Sequence, residues 1–177
     1  NRTGGCGGGP GGYAAAFAAA DAGRDVVLVS DEPVDGGACL HRGCIPSKSL
    51  LHLARVIADA RLAAECGVGF GKPVVDLDRV REWKQSVIDR LASGLTQLEQ
   101  ARSLQRITAR ARFASSTSLA WSDPDGGSGT LEFDHAIVAT GSSPNVPAAL
   151  DVADPRIMDS TGALELDDIP STLLVVG

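Results

Sequence analysis

The chain has 177 residues, 44% of them apolar and 21% charged, which is the size of one domain or slightly more and the composition of a folded globular protein. Lys+Arg 16 against Asp+Glu 22 leaves a net charge of −6, and aromatics make up only 4%, so neither a basic footprint for nucleic acid or membrane nor a base-stacking platform is expected. No apolar run approaches the ~18 residues of a membrane span, and a Gly-rich start without a leader's basic and apolar regions argues against reading Cys6, Cys39, Cys44 and Cys66 as a secreted disulfide scaffold.

Residues 1–12 are dominated by glycine, and Gly7, Gly9 and Gly12 fit G-x-G-x-x-G. In that pattern the glycines permit a tight turn, a close approach of backbone to pyrophosphate and close helix packing, with the helix N-terminus facing the phosphates. A flexible tail is the alternative. The pattern also calls for a buried apolar strand first, and Asn1-Arg2-Thr3-Gly4-Gly5-Cys6 is a poor match for one. Residues 13–22 are Ala-rich and read as a helix stopped by Gly23, and Val26–Val29 read as a buried parallel strand.

One helical stretch is expected from about Cys39 to Cys66, distorted in its first turns by Pro46. Asp76 is a candidate N-cap for a second long helix, in which Leu77, Val80, Trp83, Val87, Leu91, Leu95 and Leu98 form an apolar stripe. The stripe reads as core or interface packing, and Arg79, Arg81, Glu82, Lys84 and Asp89 as a solvated face. Short strands follow over 105–122 and 130–140, joined by the turn Asp123–Gly127, with 136–140 as a buried strand. Ser160 is a candidate cap for a short helix through Leu166. Leu173–Val176 then look like a buried strand arriving at a glycine turn, so the chain is expected to be part of a longer protein.

The most specific segment is Gly36-Gly37-Ala38-Cys39-Leu40-His41-Arg42-Gly43-Cys44-Ile45-Pro46-Ser47-Lys48. Two cysteines separated by four residues, beside Arg42 and Lys48 and loosened by glycine and proline, suit a reversible redox pair, because helix N-termini and cations favour thiolates. Two packing cysteines or a zinc pair are the alternatives, although His41 and His52 complete no recognisable zinc set. Cys66 reads as a packing residue. Cys6 reads as an accident of the unusual N-terminus rather than a reactive thiol.

This segment resembles the redox-disulfide segment of the pyridine nucleotide–disulfide oxidoreductases. Asp134–Pro144, a strand ending in A-T-G-S-S-P, resembles the family's second FAD segment. Residues 154–166 resemble its interdomain link, and 173–177 the first strand of its NAD domain, so the resemblance covers about residues 7–177. Within the family, Ile45-Pro46-Ser47-Lys48, Trp83-Lys84 and the D-P-R-I segment are most similar to bacterial dihydrolipoyl dehydrogenases of 2-oxo acid dehydrogenase complexes.

The resemblance implies an α/β, Rossmann-like FAD-binding domain with a parallel sheet, a crossover β-meander and two long helices. It places that domain at 1–168, with 169–177 opening a truncated NAD-binding domain. It makes Cys39 the interchange thiol and Cys44 the thiol beside the flavin, the two forming the redox disulfide, with Lys48 near the flavin ring. It gives Gly7, Gly9 and Gly12 to the pyrophosphate, Ala111 to the adenine, and Thr140, Gly141 and Ser142 to the rest of the FAD site. Ser30, followed by Asp31, stands where the family usually has a ribose-binding Glu. The implied reaction is dihydrolipoamide + NAD⁺ to lipoamide + NADH. The implied setting is cytoplasmic, with a lipoyl domain as partner, a homodimer in the full-length family, and no nucleic acid, membrane or metal. The NAD site and the His–Glu base fall outside this chain, so the isolated chain is expected to be inactive. A mercuric- or glutathione-type reductase fragment, or a non-catalytic FAD-binding remnant, is the alternative.

Overall fold

A computed structural model describes residues 2–176. Asn1 and Gly177, at the outer ends of the first and last expected strands, lie outside the described residues. The chain divides into two compact units, Asn1–His41 with Ile88–Ser143, and Arg42–Val87 with Pro144–Gly177.

The first unit carries the parallel sheet. β1 (Arg2–Cys6), α1 (Pro10–Asp21) and β2 (Asp25–Ser30) form a βαβ crossover, and β3 (Gln105–Thr108) and β7 (His135–Val138) complete the order β3-β2-β1-β7. Glycine-rich β1 is the correction to the sequence reading. It is a buried strand paired in parallel with both β2 and β7. Its missing side chains are replaced from outside, for a Cβ on Gly4 would sit 3.7 Å from Phe133 Cβ and one on Gly5 3.4 Å from Leu28 Cδ1. Cys6, Val27, Val29, Leu119, Leu131 and Phe133 make one buried cluster, and Ala16, Val26 and Leu28 make another under α1. Burial pushes the Cys6 thiol above its ordinary value, so Cys6 is a core residue.

β7 differs from the buried strand expected for 136–140. It is an edge strand, and Val138 is 60% exposed. β4 (Arg110–Ser115), β5 (Ser118–Ser122) and β6 (Ser128–Glu132) form an antiparallel meander. The turn between β5 and β6 falls where the Asp-Pro-Asp-Gly-Gly sequence places it, with the Asp123 carboxylate accepting from the Asp125 and Gly127 N–H groups at 3.0 and 2.7 Å.

The long helix expected from Cys39 is two helices, α2 (Gly37–Arg42) and α3 (Cys44–Glu65). The break is at Gly43 (φ −144°, ψ −95°), not at Pro46. Pro46 lies in the first turn of α3, where a missing N–H breaks no helical bond. Cys66 is the C-cap of α3 and is exposed, not packed. α4 (Leu77–Ala101) is capped by Asp76, whose carboxylate accepts from Arg79 N–H at 3.1 Å. Its apolar stripe is only partly covered, since Leu91 and Leu98 are each 44% exposed.

Within the second unit, the face of α4 expected to be solvated turns two cations onto α5 (Ser160–Glu165). Lys84 is buried and donates to the Leu164 carbonyl at 2.5 Å, and Arg81 donates to the Leu166 carbonyl at 2.7 Å. These carbonyls are the orphan acceptors of a helix C-terminus, where cations are favoured. The N-cap of α5 is Asp159 rather than Ser160, accepting from Gly162 N–H at 2.9 Å. Lys84→Met is expected to lower stability by about 1–3 kcal/mol, because a part-buried carbonyl loses its donor. The readout is a lower urea midpoint at unchanged m-value, and an unmoved midpoint contradicts the assignment.

Leu173–Val176, expected as a strand, find no strand partner among the described residues and are exposed. A parallel strand is defined by its ladder and by cover on both faces, and neither is present there.

Candidate functional site

The strand order places β1 between β2, reached through α1, and β7 on the other side, so the carboxyl end of β1 is the topological switch point of the sheet. In open α/β sheets ligands bind at that crevice. Three segments meet there within the first unit, Gly7–Gly12, Ser30–Gly37 and Ala139–Ser142.

The glycine loop is held from both sides. Gly7 N–H donates to the Val29 carbonyl at 2.8 Å, and Ala139 N–H to the Cys6 carbonyl at 2.8 Å. Gly7 has φ +110°, and a Cβ there would run into the Ala139 carbonyl. A Cβ on Gly12 would overlap the Gly7 carbonyl oxygen. Gly9 is the N-cap of α1 and Pro10, which has no N–H, its first residue; Gly12 N–H donates to the Gly9 carbonyl at 2.9 Å, so Gly11 carries the first-turn N–H that can face a ligand. Backbone, not side chain, forms this surface, and with the positive end of a helix behind it the surface suits a pyrophosphate. The residues present therefore fit a dinucleotide such as FAD. Among the described residues no group of three or more His, Cys, Asp or Glu is placed to hold a metal ion.

Ser30 ends β2, is buried, and accepts from Glu32 N–H through Oγ at 3.3 Å. Asp31 is exposed and paired with Arg110 Nε at 3.3 Å. Ala111, the next residue, is paired with Trp121 in the meander rather than set in the parallel sheet. Thr140, Gly141 and Ser142 are exposed and continue from β7, with Gly141 at φ +74°.

Cys39 lies in α2 in the first unit and is half-buried. Cys44, in the second unit, is the first residue of α3 and is exposed. Its carbonyl accepts from Ser47 Oγ at 3.1 Å. Lys48 is exposed one turn further along α3.

The sequence reading missed a buried charge cluster beside this crevice. Arg106 of β3 donates through Nη1 to Asp35 Oδ1 and, at 3.3 Å, to Glu99 Oε1 of α4, and through Nη2 to the Glu32 carbonyl at 2.6 Å. The three side chains are 17% (Arg106), 0% (Asp35) and 14% (Glu99) exposed. Burial first, and the neighbouring Asp35 carboxylate second, push Glu99 up to about 7, with Arg106 opposing. Nothing in local spacing signals this cluster, because its members are distant in sequence. The one hint is an acidic residue directly before Gly36-Gly37.

Residues 6–177 match the family described as pyridine nucleotide-disulphide oxidoreductase. The chain is 44% identical over 171 residues to dihydrolipoyl dehydrogenase of Haemophilus influenzae, covering 97% of this chain and 36% of that protein. It is 42% identical over 173 residues to dihydrolipoyl dehydrogenase of Halobacterium salinarum, with the same coverage of 97% and 36%. Among solved structures, LpdA from Mycobacterium tuberculosis superposes with a TM-score of 0.83 at 26% identity, over 96% of this chain and 38% of that one. The flavoprotein disulfide reductase RclA from Escherichia coli gives 0.76 at 25% identity, over 96% and 35%. The chain thus spans about a third of the length of these relatives, 36% in the two curated cases. With a βαβ crossover, glycine cradle and two-cysteine segment in one chain, and a family match over nearly all of it, the chain belongs to the pyridine nucleotide-disulphide oxidoreductases, whose members use FAD and NAD.

Proposed function

We propose that this chain is the FAD-binding part of a dihydrolipoyl dehydrogenase, residues 1–168, followed at 169–177 by the start of an NAD-binding domain. The observation that carries the reading is the Gly36–Lys48 segment, in which two cysteines flank a helix break at Gly43 and Gly37 lies against Gly9 of the glycine loop. The naming of relatives at 42–44% identity supports the choice within the family.

In this proposal Gly7, Gly9 and Gly12 seat the FAD pyrophosphate. Thr140, Gly141 and Ser142 line the same ligand further along, Ala111 meets the adenine, and Lys48 stands near the flavin. Ser30, and Asp31 after it, replace the ribose-binding acid. Dihydrolipoamide attacks the Cys39–Cys44 disulfide through one thiolate, forming a mixed disulfide with Cys39. Its second thiol closes lipoamide and leaves both cysteines reduced. The dithiol loses two electrons and two protons, and Cys44 passes the electron pair on. FAD, when bound, supplies the two-electron carrier between thiols and nicotinamide. A lipoyl domain of a 2-oxo acid dehydrogenase complex is the proposed macromolecular partner, a homodimer the proposed assembly of the parent protein, and the reducing cytoplasm the proposed compartment. Turnover with NAD⁺ is assigned to the longer protein and not to the chain alone.

The test mixes the purified chain with FAD, desalts it, and records visible absorbance before and after dihydrolipoamide. A retained flavin spectrum that changes with a new long-wavelength band supports the reading. A response to reduced glutathione alone favours a glutathione-type reductase, a bound flavin that no dithiol alters favours a non-catalytic module, and loss of all flavin on desalting overturns FAD binding.

A further inference from the structure

The Asp35–Arg106–Glu99 cluster has a property that an ordinary ion pair lacks. Two carboxylates share one guanidinium in a largely buried site, which leaves one negative charge uncompensated and costly to desolvate. Asp35 Oδ2 is also buried without a hydrogen-bond partner. One proton on Glu99 resolves both defects, because it neutralises the excess charge and supplies an O–H donor for the orphaned oxygen.

The cluster bears directly on the cradle. Asp35 Oδ1 is the atom that a Cβ on Gly8 would meet, at 2.5 Å, and Gly36 N–H donates to the Gly8 carbonyl at 2.8 Å. Gly37 also lies against Gly9, with a Cβ on Gly37 falling 2.7 Å from Gly9 Cα. Arg106 holds the same loop at the Glu32 carbonyl. The segment from Glu32 to Gly37 is therefore the wall behind Gly8 and Gly9, and the charge cluster fixes that wall.

We propose that Glu99 is a positioning residue for the FAD cradle: it holds a proton toward Asp35 Oδ2, and loss of that proton loosens the loop that seats Gly8 and Gly9. This rests on the reading of the cradle as an FAD site. The raised Glu99 value agrees with it, and its sign fixes the direction. The protonated form is held below about 7 and lost above it, so FAD affinity falls as pH rises through that point. Other charged residues at the cluster are His41, whose Nε2 lies 3.1 Å from the Asp35 carbonyl, Glu32, whose carbonyl accepts from Arg106, and Arg102, just past the end of α4, which is paired with Asp21.

The test is the Kd for FAD, followed by flavin fluorescence near pH 6 and near pH 8.5. The full chain is expected to bind about tenfold more weakly at the higher pH. Glu99→Gln, which offers Asp35 an N–H donor at every pH, is expected to bind tightly with no pH dependence. His41→Gln is expected to keep the wild-type rise. A wild-type Kd equal at both pH values, a Glu99→Gln Kd that still rises tenfold, or a flat His41→Gln profile overturns the inference while FAD binding stands. Absence of FAD binding at either pH overturns the FAD reading, and the inference with it.

Discussion

Gly12→Val is expected to abolish FAD retention through desalting, a loss of affinity of at least about a hundredfold. The reason is backbone against backbone. A Cβ at position 12 overlaps the Gly7 carbonyl oxygen, and Gly7 has nowhere to move, because its own Cα faces the Ala139 carbonyl at φ +110°. The clash can be relieved only by shifting the start of α1 or the end of β1, and each shift displaces the backbone of the proposed pyrophosphate cradle. Gly11→Ala is the matched control, since a Cβ there meets only Ala139 Cβ at an ordinary 3.5 Å. The measurement is the flavin-to-protein ratio after desalting, with far-UV circular dichroism to show that the helices persist. A Gly12→Val chain with a full complement of flavin would remove the pyrophosphate role from this loop.

Cys44→Ser is expected to slow dithiol reduction of the bound flavin by about a thousandfold or more, to the limit of detection. Serine keeps the size of the side chain at the first position of α3 and removes the sulfur, so neither a disulfide with Cys39 nor electron transfer remains. Cys39→Ser is expected to do the same. Cys66→Ser is the control, because Cys66 is exposed at the far end of α3, beyond Glu65, and is expected to leave the rate unchanged. A stopped-flow trace at the flavin absorbance reads all three. Wild-type reduction by the Cys44→Ser chain would assign the redox thiols elsewhere.

Those parts of the fold whose pattern is local were legible in the sequence. β2 announced itself as an unbroken Val-Val-Leu-Val run, α4 by Asp76 and a three-and-four stripe, and the meander by its Asp-Pro-Asp-Gly-Gly turn. β1 was not legible, since glycine carries no hydrophobic period and the apolar atoms that cover it belong to Phe133 and Leu28. The sequence reads as one helix from about Cys39 to Cys66 distorted by Pro46, yet a proline in the first turn costs little and Gly43 absorbs the change of direction between α2 and α3. Arg81 and Lys84 looked like a solvated face because their partners, the last carbonyls of α5, are 80 or more positions away. The glycines and cysteines of the candidate site were readable because their chemistry demands fixed short spacings. Asp35, Arg106 and Glu99 were not, since charge pairing across a fold leaves no spacing to read.

The glycine strand has a consequence for the order in which the protein can become stable during synthesis. β1 is made first and lies at the centre of its sheet, but two of its five residues bring no side chain, and the ring that covers Gly4 belongs to Phe133. At ordinary elongation rates Phe133 leaves the ribosome roughly 6–25 s after β1. Until then the nascent chain can close the β1-α1-β2 crossover on one side only, with the other edge of β1 awaiting β7. The interval is long on the scale of strand pairing, and throughout it an open, polar-edged glycine strand is the centre of the unfinished sheet. The segment that completes the cofactor cradle, Ala139–Ser142, arrives only just after the one that completes the core. In this chain, folding of the sheet and competence to hold a cofactor are therefore nearly one event.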